Sequence, residues 1–130
     1  MNINIAKLIK YWSELSDYDI ITAGFMFKAG RFPYCLFMCH LAIEKILKAL
    51  IVKLSKVNAP YSHNLVDLAK KTSIEFSEEQ KILLADLTEF NLEARYPEWQ
   101  KQFYLKCNKK YTQDYFNRSD KMQKWLKKHL

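Results

Sequence analysis

The stretch Phe32-Pro-Tyr-Cys-Leu-Phe-Met-Cys-His-Leu-Ala-Ile-Glu-Lys-Ile-Leu-Lys-Ala-Leu-Ile-Val-Lys-Leu-Ser-Lys56 decides the fold of this chain. Leu36, Ile43, Leu47, Leu50 and Leu54 recur at helical spacing, which makes one face continuously apolar. Glu44, Lys45 and Lys48 interrupt an otherwise apolar run, and Glu44 precedes Lys48 by four residues, the favourable order for an intrahelical pair. A helix with so narrow a polar edge is expected at the centre of a bundle, touched from several sides.

The rest of the chain reads as packing around that helix. Asn2 or Asn4 can cap a first helix to about Ala29, along Leu8, Trp12, Leu15, Tyr18 (or Asp19), Thr22 and Phe25. Gly30 then ends it as a left-handed cap. Pro33 suits the first turn of the central helix, so the first two helices are expected to form an antiparallel hairpin. Residues 57–63 read as a loop, and Asn64 as the cap of a short third helix from Leu65 to about Lys71, broken by Thr72 and Ser73. Ser77 with Gln80 is a capping box. It opens a fourth helix through Ile82, Leu83, Leu87, Phe90 and Asn91 to about Ala94. Arg95-Tyr96-Pro97 marks a break, because the residue before proline is biased out of the helical region. Residues 98–111 are open between a long loop and an irregular helix. A last helix is expected from Thr112 to about Lys128, along Tyr115, Met122 and Trp125.

Length and composition agree. The chain has 130 residues, 49% of them apolar, with two glycines and three prolines. That suits a single domain over residues 1–130, and long helices rather than sheets, which need more turn residues. The expected fold is all-α, an antiparallel up-and-down bundle of four to five helices. Cys35, Cys39 and Cys107 are an odd number without a secretion signal, and the most apolar run is too short to span a bilayer. A soluble, cytoplasmic protein with reduced thiols and no membrane association is expected.

The net charge is +7, unevenly spread. Residues 1–97 hold 12 Lys/Arg against 11 Asp/Glu, whereas residues 98–130 hold 9 against 3. The basic quarter reads either as a solvated face or as a surface for a polyanion. Tyr104, Tyr111, Tyr115, Phe116 and Trp125 interleave with its cations, which suits stacking combined with phosphate contacts, or simply a core.

Three blocks in order are more specific: Ala42-Ile43-Glu44-Lys45-Ile46-Leu47-Lys48-Ala49-Leu50, Ser62-His63-Asn64-Leu65 and Ala94-Arg95-Tyr96-Pro97. With Gly30-Arg31-Phe32 ahead of them, they resemble the HEPN domain family over roughly residues 6–128. The resemblance implies a helical bundle, commonly a homodimer. It also implies nucleotide or RNA binding or RNase activity, and, for many members, a minimal nucleotidyltransferase partner in a toxin–antitoxin pair. The family's RNases use an Arg followed after four to six residues by a His. Arg95 fits the arginine, but the positions that follow are Gln100, Lys101 and Gln102. None titrates near neutrality as imidazole does, and cleavage by 2′-hydroxyl attack needs proton transfer. In some members the partner enzyme modifies a Tyr two residues beyond that His; here the position falls on Gln102, Phe103 or Tyr104.

The expected function is therefore a HEPN-type nucleotide- or RNA-binding module, non-catalytic alone, working with a nucleotidyltransferase partner. An endoribonuclease toxin drawing its imidazole from His63 or His40 is the alternative, with Arg95 and His63 as its catalytic candidates. A protein-interaction module docking through the basic C-terminal helix is the third reading. Ligand-binding candidates are Arg95, Tyr96, His63, Glu44, Lys45 and Lys48. Arg95 suits bidentate grip of a phosphate, or a tie to the helix end or to Glu44. Tyr96 suits stacking on a base or packing beneath the break. His63 suits a structural loop contact or a spatial partnership with Arg95. Glu44, Lys45 and Lys48 must be paired or solvated, and can line a phosphate-facing groove. Cys35-x-x-x-Cys39-His40 lacks a fourth ligand and reads as core rather than metal site. No cofactor is expected.

Overall fold

A computed structural model describes residues 4–130, which form six helices and no strand. They are α1 (Ile5–Lys28), α2 (Phe32–Ser55), α3 (Leu65–Lys70), α4 (Glu78–Arg95), α5 (Pro97–Lys106) and α6 (Lys109–Lys127).

The helix ends follow local chemistry. Asn4 Oδ1 accepts from the Lys7 amide and caps α1; Asn2 lies outside the described residues. Gly30 has φ +74°, the left-handed conformation that lets the chain leave α1 and enter α2 within three residues. Asn64 caps α3 by accepting from the Asp67 amide. At α4 both halves of the capping box form: Ser77 Oγ accepts from the Gln80 amide, and Gln80 Oε1 accepts from the Ser77 amide.

The four long helices run up and down. On α1 and α2, Ser16 meets Ala42, Asp19 meets Lys45 and Phe27 meets Phe32, pairings that set the two helices antiparallel about the Gly30 turn. Asp86 with Tyr115 and Phe90 with Tyr111 do the same for α4 and α6. α2 is the hub: 14 of its 24 residues are buried, and it touches each of the other five helices. The core is continuous from Ile20 and Ala23 of α1 through α2 to Leu87 and Phe90 of α4, Phe103 of α5 and Leu126 of α6.

Three sequence expectations shift. Residues 97–106 form a helix: Pro97 sits in its first turn, and Phe103, fully buried against Phe90, anchors it. The last helix then begins at Lys109, because Asn108 Oδ1 caps it by accepting from the Tyr111 amide. On α1 the packed row is Ser16, Asp19, Ile20 and Ala23, while Tyr18 and Phe25 point outward. Small side chains let α1 close on α2, and its buried polar groups are satisfied there. Ser16 Oγ donates to the Ala42 carbonyl at 2.7 Å, and Asp19 ion-pairs with Lys45. Leu54 of α2 and Ile82 of α4 are likewise exposed: Leu54 lies in the last turn of α2, and Ile82 faces outward beside the buried Leu83 and Leu84.

A buried polar clasp ties the first helix to the last. Gln123 of α6, fully buried, donates from Nε2 to Ser16 Oγ at 3.2 Å and to Asp17 Oδ1 at 2.8 Å. Lys127 pairs with Asp17 beside it. No described helix is long and apolar enough to cross a membrane.

Candidate functional site

Two clusters collect the residues singled out in the sequence. The first is centred on Glu44, in the middle of α2. Its side chain is almost completely buried and both oxygens are used: Oε2 accepts from Lys48 Nζ at 3.2 Å, and Oε1 accepts from His63 Nδ1 at 2.8 Å. Lys48 is itself buried, with its ammonium 5.3 Å from the centre of the Trp12 ring. A buried carboxylate and ammonium this close satisfy each other, and the indole face adds to the cation's environment.

His63 belongs to the segment between α2 and α3, and this network straps that segment to α2. Its backbone carbonyl accepts from His40 Nε2 at 2.9 Å, and Trp12 Nε1 donates to Asn58 Oδ1 at 3.4 Å elsewhere in the segment. The carbonyl can only accept, so the His40 proton resides on Nε2. His40 Nδ1 is left buried and without a partner among the described residues. Burial holds the His40 pKa below the usual imidazole value; the His63 carbonyl and Glu44 oppose this only in part. Lys45, one residue past Glu44, faces the other way and serves Asp19 of α1.

The second cluster surrounds Arg95 at the C-terminal end of α4. Arg95 is exposed and has no ion pair or side-chain hydrogen bond among the described residues. It lines a cavity of about 110 Å³ with Tyr34 and Phe37 of α2, Ala94, and Gln100 and Tyr104 of α5. Tyr34, Tyr96 and Tyr104 are each about half exposed, and Tyr96 packs edge-on against exposed Trp99 at 5.7 Å between ring centres. Tyr34 beside it raises the Tyr104 pKa. Gln100 Nε2 donates to the Ala94 carbonyl at 3.3 Å, so the glutamine, and not Arg95, ties off the end of α4.

The two clusters keep the candidates apart. Glu44, Lys48, His63 and His40 come together; Arg95 and Tyr96 do not join them. Phe37 beside Arg95 and Glu44 beside His63 are seven residues apart on α2, a rise of roughly 10 Å. Gln100, five positions after Arg95, lines the same cavity; its amide hydrogen-bonds but does not exchange a proton at neutral pH. Lys101 and Gln102 are exposed on α5.

Cys35 and Cys39 are buried neighbours one turn apart, and burial raises the Cys39 pKa well above that of a free thiol. His40 is committed to the His63 carbonyl, and no three potential metal ligands converge among the described residues. In the basic C-terminal quarter, Arg118, Lys124 and Lys127 are paired with Asp114, Asp120 and Asp17. Tyr111 and Tyr115 pack against Phe90, so these rings belong to the core edge. Tyr34 is the site residue that sequence reading passed over. Its signal was positional: it stands next to Pro33 in the first turn of α2 and stays exposed beside the buried Cys35 and Leu36.

Comparisons with known proteins agree with the sequence resemblance. The family model of the HEPN domain matches residues 9–129. The crystal structure of TT1696 from Thermus thermophilus superposes with a TM-score of 0.78 at 16% identity, covering 94% of this chain and 98% of that one; it shares the fold. No curated protein matches the chain.

Proposed function

The chain belongs to the HEPN domain family, and from that premise we propose that it is an RNA- or nucleotide-binding module, non-catalytic by itself, that grips a phosphate with Arg95. The observation that carries this reading is the exposed guanidinium, unpaired among the described residues, at the rim of a cavity lined by Tyr34 and Tyr104, with exposed Tyr96 the next residue in the chain. Guanidinium donors suit a phosphate, and tyrosine rings with free faces suit unstacked bases. Gln100 beside Arg95 supplies a hydrogen bond but no general acid or base, which favours binding over cleavage. The resemblance supports the remaining parts of the proposal: a cytoplasmic homodimer that works with a minimal nucleotidyltransferase in a toxin–antitoxin-like pair.

The test is a titration of labelled single-stranded RNA with the full chain at low and moderate salt, followed by a gel of the recovered RNA. Salt-sensitive binding of intact RNA, weakened about tenfold or more by Arg95→Ala, is the expected result. RNA shortened by the wild type but not by Arg95→Ala would replace this reading with an endoribonuclease. Absence of RNA and nucleotide binding at both salts would leave protein docking through the basic C-terminal helix.

A further inference from the structure

One end of the bundle carries two cavities that share a wall. The first, about 260 Å³, lies between the end of α2 and the chain that follows α3; Leu50, Leu54 and Ile74 form its apolar surface. The second, about 230 Å³, lies between α3 and α4 over Val66, Phe76 and Leu84. Ile74 lines both, so the two form one groove. Lys53 Nζ donates to the His129 carbonyl at 3.0 Å, which brings the end of α6 into the wall of the first cavity.

The rim of the groove is cationic. Lys53, Lys56, Lys70 and Lys81 line the two cavities, against a single acid, Glu75. The general charge bias of the chain does not explain this, because residues 1–97, which supply all four lysines, hold 12 Lys/Arg against 11 Asp/Glu. Lys56 and Lys70 make no ion pair among the described residues. Lys81 has only Glu78, in an exposed pair at 3.3 Å that costs little to exchange. Lys56 stands at φ +62°, the left-handed conformation that glycine adopts most readily. A lysine there sets a cation on the rim where a glycine would suit the backbone better.

We propose that this groove docks an acidic amphipathic helix of a partner protein, with two apolar side chains of that helix in the two cavities and its carboxylates on the lysine rim. Each volume falls short of the ~300 Å³ at which small-molecule sites begin, and each has room for one large apolar side chain. A helix enters such a groove through apolar anchors at three- and four-residue steps. The described residues contain no strand, so an extended peptide finds no edge to pair with. RNA fits less well. The groove offers mostly aliphatic side chains, and its phenyl ring, Phe76, is packed edge-on against Trp125. The groove is also separate from the Arg95 cavity: no residue lines both, and Phe37 there and Leu50 here lie roughly 20 Å apart along α2.

The test is fluorescence anisotropy of a labelled peptide of about 18 residues, with leucine and phenylalanine along one helical face and glutamate on the other, titrated with the full chain at low and moderate salt. Saturable binding with a Kd below about 200 µM, weakened by salt, is expected. A scrambled peptide of the same composition should bind at least about tenfold less well. Lys56→Gly should weaken binding about threefold or more with thermal stability kept, since glycine suits the backbone there. Lys56→Glu combined with Lys70→Glu, and separately Leu54→Asp, should each weaken it at least about tenfold while the helical circular dichroism stays unchanged. Absence of saturable binding, equal binding of the scrambled peptide, or indifference to both the lysine pair and Leu54→Asp overturns the proposal. So does displacement of the peptide by single-stranded RNA that persists in Arg95→Ala, which would make the groove a nucleic-acid surface. Arg95→Ala alone should leave peptide binding unchanged, so failure of the RNA site is read separately from failure of the groove.

Discussion

His63 Nδ1 donates to Glu44 Oε1 at 2.8 Å, while Lys48 holds the other oxygen of the same buried carboxylate. One carboxylate thus keeps a buried ammonium satisfied and fastens a loop to the central helix. The two duties differ in energy. Glu44→Ala strands a buried cation and should destabilise by about 3–5 kcal/mol. His63→Ala removes a half-exposed donor and should cost only about 1–2 kcal/mol. Urea denaturation of both variants checks the ratio; equal losses would mean that the loop, not Lys48, depends on Glu44.

His40 makes stability sensitive to acid. Burial lowers its folded-state pKa below the ordinary imidazole value, so the unfolded chain binds a proton that the folded chain resists. Stability must then rise with pH through the window between the lowered folded value and the unfolded value of about 6.5, and fall as the solution is acidified across it. The contribution is fully present above that window. Chemical denaturation from about pH 7.5 to about pH 5 is expected to show the loss. His40→Gln, which keeps a donor for the His63 carbonyl without a titrating ring, should flatten it.

Phe103 is the single buried residue of α5. Phe103→Ala removes a full ring from contact with Phe90, a change that typically costs about 3–5 kcal/mol. Because nothing else in α5 is buried, the loss should appear first as local release. Hydrogen exchange should show α5 amides unprotected while those of α2 keep their protection.

Tyr34 and Tyr104 line the Arg95 cavity together. If they stack on bases, Tyr104→Ala should weaken single-stranded RNA binding by about 1–3 kcal/mol. Both rings are half exposed, so thermal stability should barely move. Fluorescence anisotropy with matched single- and double-stranded RNA measures both the loss and the preference for the single strand.

The hub was readable because α2 is apolar on nearly every side, a signal that survives any choice of neighbour. Helix starts were readable at Asn4, Asn64 and Ser77, where capping chemistry is local. α5 was not, since its ten residues bury one ring and show almost no apolar period. The face of α1 was misjudged for a different reason. Periodicity left Tyr18 or Asp19 open and favoured Phe25; the packed row takes Asp19, with Ser16 and Ala23, whose small size carries no hydrophobic signal. Arg95 and His63 were both visible as candidates, but their separation depends on which turn of α2 each one meets, and that is set by tertiary packing.

The clasp of Gln123 on Ser16 and Asp17 spans 107 and 106 positions of the chain. During synthesis the first hairpin emerges long before its clasp does. Until α6 leaves the ribosome, Ser16 lacks one of its partners and the α1–α2 hairpin shows its α6-facing apolar side to solvent. The bundle therefore closes only once nearly all of its own sequence has been made. A chain stopped before Gln123 should be a substrate for chaperones and proteases rather than a shorter working domain.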